Sequence, residues 1–563
     1  MESEDNSFEK TLSQKIDSFI NYLERRRISI IALFAYIVFL AVVRDLSEYF
    51  LLDPEFVTTP HPWIYSIAHH VAFYVVVFLG LTLLLTAFSG RGLEKSVNFL
   101  ASFYWIILLP PFLDYFVFGV RENYAYFSPT DFANALFHFS GDRLHYGQLI
   151  EVAVILFVLF SYPIWTQRSK FFDIRGRLVT ILRVAFLLFF AFLSMFFLST
   201  PGLYLPVGTV GGIPQFPAFD LVKYRQTHLF LFSWYLIVGL ILSLGIVYIA
   251  KKTIFTRLFM SLRPFQTLFF GIIVAAGVVS GWRSSSGSIV YVTHIFETPY
   301  WVNLSFVGIS IISAVLAWLV CVIWNDLSDR FTDVPTRMGR ALASGLIDEK
   351  TALETSVVLA AISLFCALLL SFVQLFLLSI VFLISIAYSS NLIRLKQHML
   401  RSALIGIGAF LAFIYGFVTP FSVVEEYTTG GIYAPHLTGA ILIPNLTSDG
   451  VIIGFFMFLG ILIGSMITDI EGYKEDIRGG VKTVYTVLGF ETGVRVVAFL
   501  IFFASLTPLA IFRNIIDLVV FPFLGIAAAV SFNRLRRSDM VMFIAFIGLI
   551  YAALRYLNLF VGI

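Results

Sequence analysis

Asn325, Asp326, Asp329 and Asp333 stand at the end of a run, Ile309 to Trp324, that is otherwise almost wholly apolar. On a helix Asp326, Asp329 and Asp333 fall at i, i+3 and i+7 and share one face. Three carboxylates on one face repel one another unless a cation lies between them. Hard oxygen donors in a small space suit magnesium carrying the oxygens of a phosphorylated substrate. A solvated acidic turn just outside a bilayer would use the same residue types, so the motif needs a second signal. One follows the apolar run Val451 to Ile467, where Asp469, Glu471, Glu475 and Asp476 form another acidic segment. Asp469 and Asp476 are seven apart and would also share a face on a continuous helix. Two acidic walls can hold two Mg2+ ions and bridge a diphosphate between them, with nearby Arg and Lys screening the remaining charge.

The elements that must position these groups are membrane helices. Of 563 residues 59% are hydrophobic and only 13% charged, with a mean hydropathy of +0.90, which excludes an ordinary soluble globule. A net charge of +3 is too slight to point to nucleic acid. The two cysteines, Cys321 and Cys366, lie in apolar runs and suggest neither a disulfide framework nor a thiolate metal site. Apolar runs long enough to span about 30 Å of hydrocarbon fall at roughly 28–43, 67–88, 97–119, 148–166, 178–199 and 227–250. A second group falls at roughly 265–281, 302–324, 352–372, 373–388, 400–422, 450–468, 493–512, 514–532 and 539–561. The expectation is an all-α polytopic membrane protein of about 15 transmembrane helices in two domains, 1–252 and 253–563. The stretch from Lys251 and Lys252 to Pro264 reads as the linker.

Basic residues orient the chain, because cytoplasmic loops carry the excess of Lys and Arg. In the second group the loops after even-numbered helices and their flanks hold fourteen, among them Arg330, Arg394, Lys396, Lys474, Arg478 and Arg534, against Arg283 and Arg513 opposite. Both acidic segments therefore fall on one side, expected to be cytoplasmic, together with the N-terminus.

The run NDLSDRFTD followed by RMGRALASG is similar to the first signature of the UbiA superfamily of intramembrane prenyltransferases. Leu262-Arg263-Pro264-Phe265 resembles that family's approach to its first helix, and Tyr388-Ser389 with Arg394-Leu395-Lys396 resembles its YS…RLK loop. DIEGYKEDIRGGVKTVYTVLG resembles its second acidic signature. The resemblance covers about 255–563 and implies a nine-helix bundle that transfers a prenyl group from a polyprenyl diphosphate to a lipophilic acceptor, a quinone precursor or a lipid. It further implies that Asn325, Asp326, Asp329 and Asp333 hold one Mg2+ with its diphosphate oxygens, and that Asp469 and Asp476 hold the second. Arg394 and Lys396 would bind the diphosphate, although positive-inside anchoring explains those two as well. One departure matters: the family usually has another acid where this chain has Gly472 or, in the other register, Tyr473. Ala341 replaces a frequent proline. The rival reading is a non-catalytic or transporting membrane protein that keeps a UbiA-like bundle. Nothing in the sequence fixes the oligomeric state.

The first 250 residues resemble no family and carry no catalytic motif. Their outward connections, 44–66, 120–147 and 200–226, are long and contain His61, His138 and His145, none at a metal-ligand spacing.

Overall fold

A chain this apolar has no water with which to satisfy its backbone, and helices solve that internally. The structure, a computed structural model, describes residues 2–25, 28–52, 63–122, 124, 130, 132, 134, 145–168, 174–200, 221–250, 252–261, 263–285, 300–328, 345, 347–389, 400–428 and 448–561. Among these residues there is no strand, and fourteen helices are long and apolar enough to cross a bilayer; a further apolar stretch, Gln266–Trp282, is shorter. Six of the fourteen precede residue 251 and eight follow it, so the short one makes a ninth in the later group. The chain is a multi-pass membrane protein. It divides into two compact units, Met1–Leu258 and Phe259–Ile563.

The N-terminal unit contains α1 (Glu2–Glu24), α2 (Ile30–Leu52), α3 (Trp63–Phe88), α4 (Leu93–Phe103), α5 (Leu109–Phe116), α6 (Tyr146–Thr166), α7 (Ile174–Ser199) and α8 (Leu221–Ala250). A 3-10 turn, Tyr104–Leu108, joins α4 to α5 ahead of Pro110 and Pro111. Helix α3 touches α2, α4, α7 and α8, and the core gathers round Phe78, Leu85, Phe99, Tyr104, Tyr162 and Leu187. One end is locked by Glu24, which is buried against Arg91 (3.3 Å), Lys95 (3.1 Å) and the Tyr162 hydroxyl (3.0 Å). The first span corrects the sequence boundary of 43: α2 runs on to Leu52, because Arg44, Asp45 and Glu48 are buried and paired within the unit. The stretch read as a linker is also helical, as α9 (Lys252–Ser261).

The C-terminal unit continues with α10 (Pro264–Ser285), α11 (Tyr300–Ser328), α12 (Glu349–Leu370), α13 (Phe372–Ser389), α14 (Leu400–Thr428) and α15 (Ser448–Thr468). Two short helices, α16 (Tyr473–Gly479) and α17 (Val484–Leu488), precede α18 (Phe490–Leu506), α19 (Ile515–Leu535) and α20 (Ser538–Val561). Lipid is as apolar as leucine, so close backbone packing and buried polar contacts must hold such helices together. Helix α14 supplies both. It lies on α10 through Gly277, Gly281 and Gly416, and its Tyr415 and Thr419 enter a buried network. The Thr419 and Ser310 hydroxyls are 2.8 Å apart, those of Tyr415 and Ser313 are 2.5 Å apart, and the Gln374 amide donates to Thr419 at 3.0 Å. Ser363 donates to the Ser313 carbonyl at 2.7 Å, which ties in α12.

A single residue separates α12 from α13. Ser371 is extended, and its hydroxyl accepts the Gln374 N–H at 3.2 Å, a cap that restarts the helix within one long apolar run. The last two helices are clamped by buried Asp517, which accepts from Tyr551 at 2.6 Å and from Arg555 at 2.9 and 3.0 Å.

Candidate functional site

The first acidic segment begins inside α11, whose last residues include Asn325 and Asp326; Asp329 and Asp333 lie outside the described residues. Asp326 is only 6% exposed, and Arg263 on the approach to α10 donates to it at 2.7 Å. Pro264 opens α10, a position where its missing N–H costs nothing. The preceding Arg263 sits at φ +50, a left-handed conformation that costs a non-glycine residue about 1–2 kcal/mol. Such strain persists where the surroundings over-determine it, and the charge pair with Asp326 is the observed restraint. Arg263 and the end of α11 are thus joined in space.

The second acidic segment does not form the continuous helix that its seven-residue spacing suggested. Helix α15 ends at Thr468, and its last turn tightens through Ile470 N–H to Ile467 O (3.4 Å) and Glu471 N–H to Thr468 O (3.3 Å). Gly472 then begins α16, which carries Asp476 and ends at Gly480 with φ +68, where a side chain would be strained. Thr483 caps α17 in turn. Asp469 and Asp476 still face each other electrostatically, now across a turn instead of along one helix.

Burial pushes the Asp469 carboxyl up to about 6; the charge of Asp476 adds to the rise, and Arg401 at the start of α14 opposes it. Arg401 pairs directly with Asp469. Burial is the largest cause of that rise, and the second carboxylate adds to it against the arginine. The donor set is all oxygen, so it suits a hard divalent cation. Among the described residues no three His, Cys, Asp or Glu side chains are grouped as a complete metal site, and Asp329 and Asp333 are not among them. Arg394 and Lys396 also lie outside the described residues.

Arg263 and Arg401 are the two contributors that spacing did not single out. Arg401 is one of the fourteen basic residues that orient the chain, and Arg263 is part of the helix approach. Each is paired with an acid more than sixty residues away, at separations of 63 and 68.

Gly472 is the position without the acid of the resembling signature. A Cβ there would be 3.7 Å from Asp476 Oδ2, ordinary contact, and the backbone angles of −91 and 3 suit any residue. Gly472→Asp is therefore expected to fold and to bring a third carboxylate to the pair. The expected result is Mg2+ affinity tighter by about tenfold, the lower end of what one supporting group contributes at a metal site. Titration of Mg2+ against diphosphate release checks this; an unchanged or weaker affinity would mean that Gly472 faces away from the ion.

The UbiA prenyltransferase family profile matches residues 288–550. No curated protein matches the chain. Among solved structures, a digeranylgeranylglyceryl phosphate synthase is 17% identical, covering 53% of this chain and 93% of that one with a TM-score of 0.35. A UbiA homolog from Archaeoglobus fulgidus bound to GPP and Mg2+ is 15% identical, covering 54% and 97% with a TM-score of 0.35. The matched residues lie wholly within the C-terminal unit, and it is this segment of the chain that is similar to the UbiA prenyltransferase family.

Proposed function

We propose that the C-terminal unit transfers a prenyl group from a polyprenyl diphosphate to a lipophilic acceptor, a quinone precursor or a lipid, in a reaction that requires Mg2+. The observation that carries this reading is the match of the UbiA prenyltransferase family to residues 288–550, the segment that holds both acidic signatures. Four membrane helices, α12 to α15, separate the first acidic segment from the second, so both emerge on the same face of the membrane. The excess of Lys and Arg supports the cytoplasmic face.

In this reading Asn325, Asp329 and Asp333 on one side and Asp469 and Asp476 on the other would hold Mg2+. The ion supplies concentrated positive charge to the leaving diphosphate. Asp326, fixed by Arg263, anchors the end of α11, and Arg401 orients Asp469. Arg394 and Lys396 bind the diphosphate from a third side. The allylic carbon–oxygen bond breaks with its electron pair leaving on the diphosphate. A nucleophilic carbon or oxygen of the acceptor then donates a pair to the allylic carbon and loses its proton.

The test is Mg2+-dependent diphosphate release from geranylgeranyl and longer prenyl diphosphates by purified protein in micelles, with membrane lipid extract as acceptor. Release that requires extract and Mg2+ and disappears in Asp329→Asn is the expected result. Folded protein that releases none with any donor would replace this reading with a non-catalytic or transporting membrane protein that keeps the bundle.

A further inference from the structure

Arg183 lies nine residues into α7, about 13 Å from its start at 1.5 Å per residue. A guanidinium carried that far along a membrane helix is costly unless a counter-charge meets it. The bond that the N-terminal unit gives it goes to a neutral group: Arg183 Nη1 donates to Gln167 Oε1 at 3.2 Å. Gln167 caps the end of α6 and is only 3% exposed, and its own amide donates to the Phe88 carbonyl at 2.9 Å. One of five N–H donors fixes the guanidinium in place, and the others are left for an acceptor.

The acids at this end of the unit are engaged with other bases. Asp17 pairs with Arg168 and accepts from the Trp165 indole at 3.0 Å, and Glu24 is shared by Arg91 and Lys95. Glu94 is exposed on α4. Among the described residues no carboxylate pairs with Arg183. Phe186 and Phe190 stand three and seven residues further into α7, so they continue the stripe that Arg183 begins. They are 53% and 41% exposed and stack with centroids 6.5 Å apart, and Phe190 stacks on Phe88 of α3 at 6.2 Å. Gly90, at φ +72 just past α3, brings only backbone beside the arginine; a Cβ there would lie 3.9 Å from Nη1. A fixed positive head therefore sits over a strip of rings open to lipid, where α3 and α7 touch.

Charge and shape together narrow the ligand. A free phosphate matches the guanidinium but not the rings. A zwitterionic lipid matches the rings but brings its own ammonium to a place already rich in Arg91, Lys95 and Arg168. We propose that Arg183 and the strip of Phe88, Phe186 and Phe190 form a binding site for an anionic phospholipid. Its phosphate oxygens accept from the guanidinium, whose planar fork matches them, and one acyl chain lies along the rings. Basic groups between membrane helices at the headgroup level are suited to such lipids. The site uses no residue of the transferase reading and does not depend on it.

The test uses the full chain in neutral micelles and phosphatidylglycerol with a fluorescent acyl chain. Unlabelled phosphatidylglycerol, phosphatidylcholine and inorganic phosphate serve as competitors. Saturable binding, displaced by phosphatidylglycerol at about a tenth of the phosphatidylcholine concentration and not by inorganic phosphate, is expected. Arg183→Gln should weaken it about tenfold, the scale of a lost hydrogen bond between charged groups. Arg183→Lys should lose less, keeping the charge without the fork, and Phe186→Ala should also bind more weakly. Arg175→Gln, at an exposed position eight residues earlier on α7, is the control and should bind as wild type. Thermal melts establish that the variants fold, and the wild-type competition arms decide if Arg183→Gln does not. Equal losses in Arg175→Gln and Arg183→Gln would overturn the proposal in favour of a diffuse basic surface. Displacement by phosphatidylcholine at the same concentration would reduce it to partition, and displacement by inorganic phosphate would leave an anion site without a lipid.

Discussion

Asp469→Asn is expected to lower Mg2+-dependent diphosphate release by about 100-fold or more, the scale on which removing one group that stabilises transition-state charge is felt. Arg401→Met should do less to the maximal rate and more to the Mg2+ requirement. Arg401 pairs with Asp469 and in the proposed site would act on the ion through it, and loss of a supporting partner costs about 10- to 100-fold in metal affinity. The two variants separate two roles for the arginine. If Arg401 merely neutralises a buried acid, removing both charges together should restore stability but not activity, since breaking one half of a buried pair is worse than removing the whole. If it aims Asp469, Arg401→Lys should recover part of the lost affinity through charge without the planar fork. Initial rates across a Mg2+ series for the single and double variants distinguish these cases. Wild-type rates in Asp469→Asn would remove the second acidic segment from the site altogether.

The apolar runs announced nearly every membrane helix, because period and length are local properties. What the runs could not show was pairing at a distance. The first apolar run reads as ending at residue 43, just before Arg44, Asp45 and Glu48. They are instead buried, each with a partner, and α2 continues beyond them to Leu52. His69 and His228 are 159 residues apart, and only their helices bring them together. At the acidic site the residue types and the gap between segments were readable. The turn after Thr468 was not, since it depends on where α15 ends and Gly472 begins α16. Ser371 shows the opposite case: serine followed three residues later by glutamine is a local cap, and it divides an apolar run of nearly forty residues where the sequence reading placed the break, to within two residues.

The helix contact that carries α14 makes the second large prediction. A Cβ at Gly416 would lie 2.1 Å from the Val274 carbonyl oxygen; at Gly277 it would lie 2.1 Å from that of Phe413, and at Gly281 the same distance from that of Phe417. These obstacles are backbone, so no rotamer change relieves them. Gly277 and Gly281 form a G-x-x-x-G pair, the spacing that lets two membrane helices touch along one stripe. Even alanine at position 416 must push α10 and α14 apart by more than about 1 Å. That shift pulls Tyr415 and Thr419 from Ser313 and Ser310, and it moves Arg401, on the same helix, relative to Asp469. Gly416→Ala is therefore expected to cost about 3 kcal/mol or more and to lower activity alongside stability. Gly416→Leu should fail to give monodisperse protein. Gly408 is the control: it lies on the same helix with nothing within 4 Å of its Cβ position. There alanine should be neutral or stabilising by up to about 1 kcal/mol through helix propensity. Thermal melts in one detergent compare all three. Equal stability of Gly408→Ala and Gly416→Ala would mean that the α10 and α14 backbones do not touch, and that the polar network alone holds the bundle.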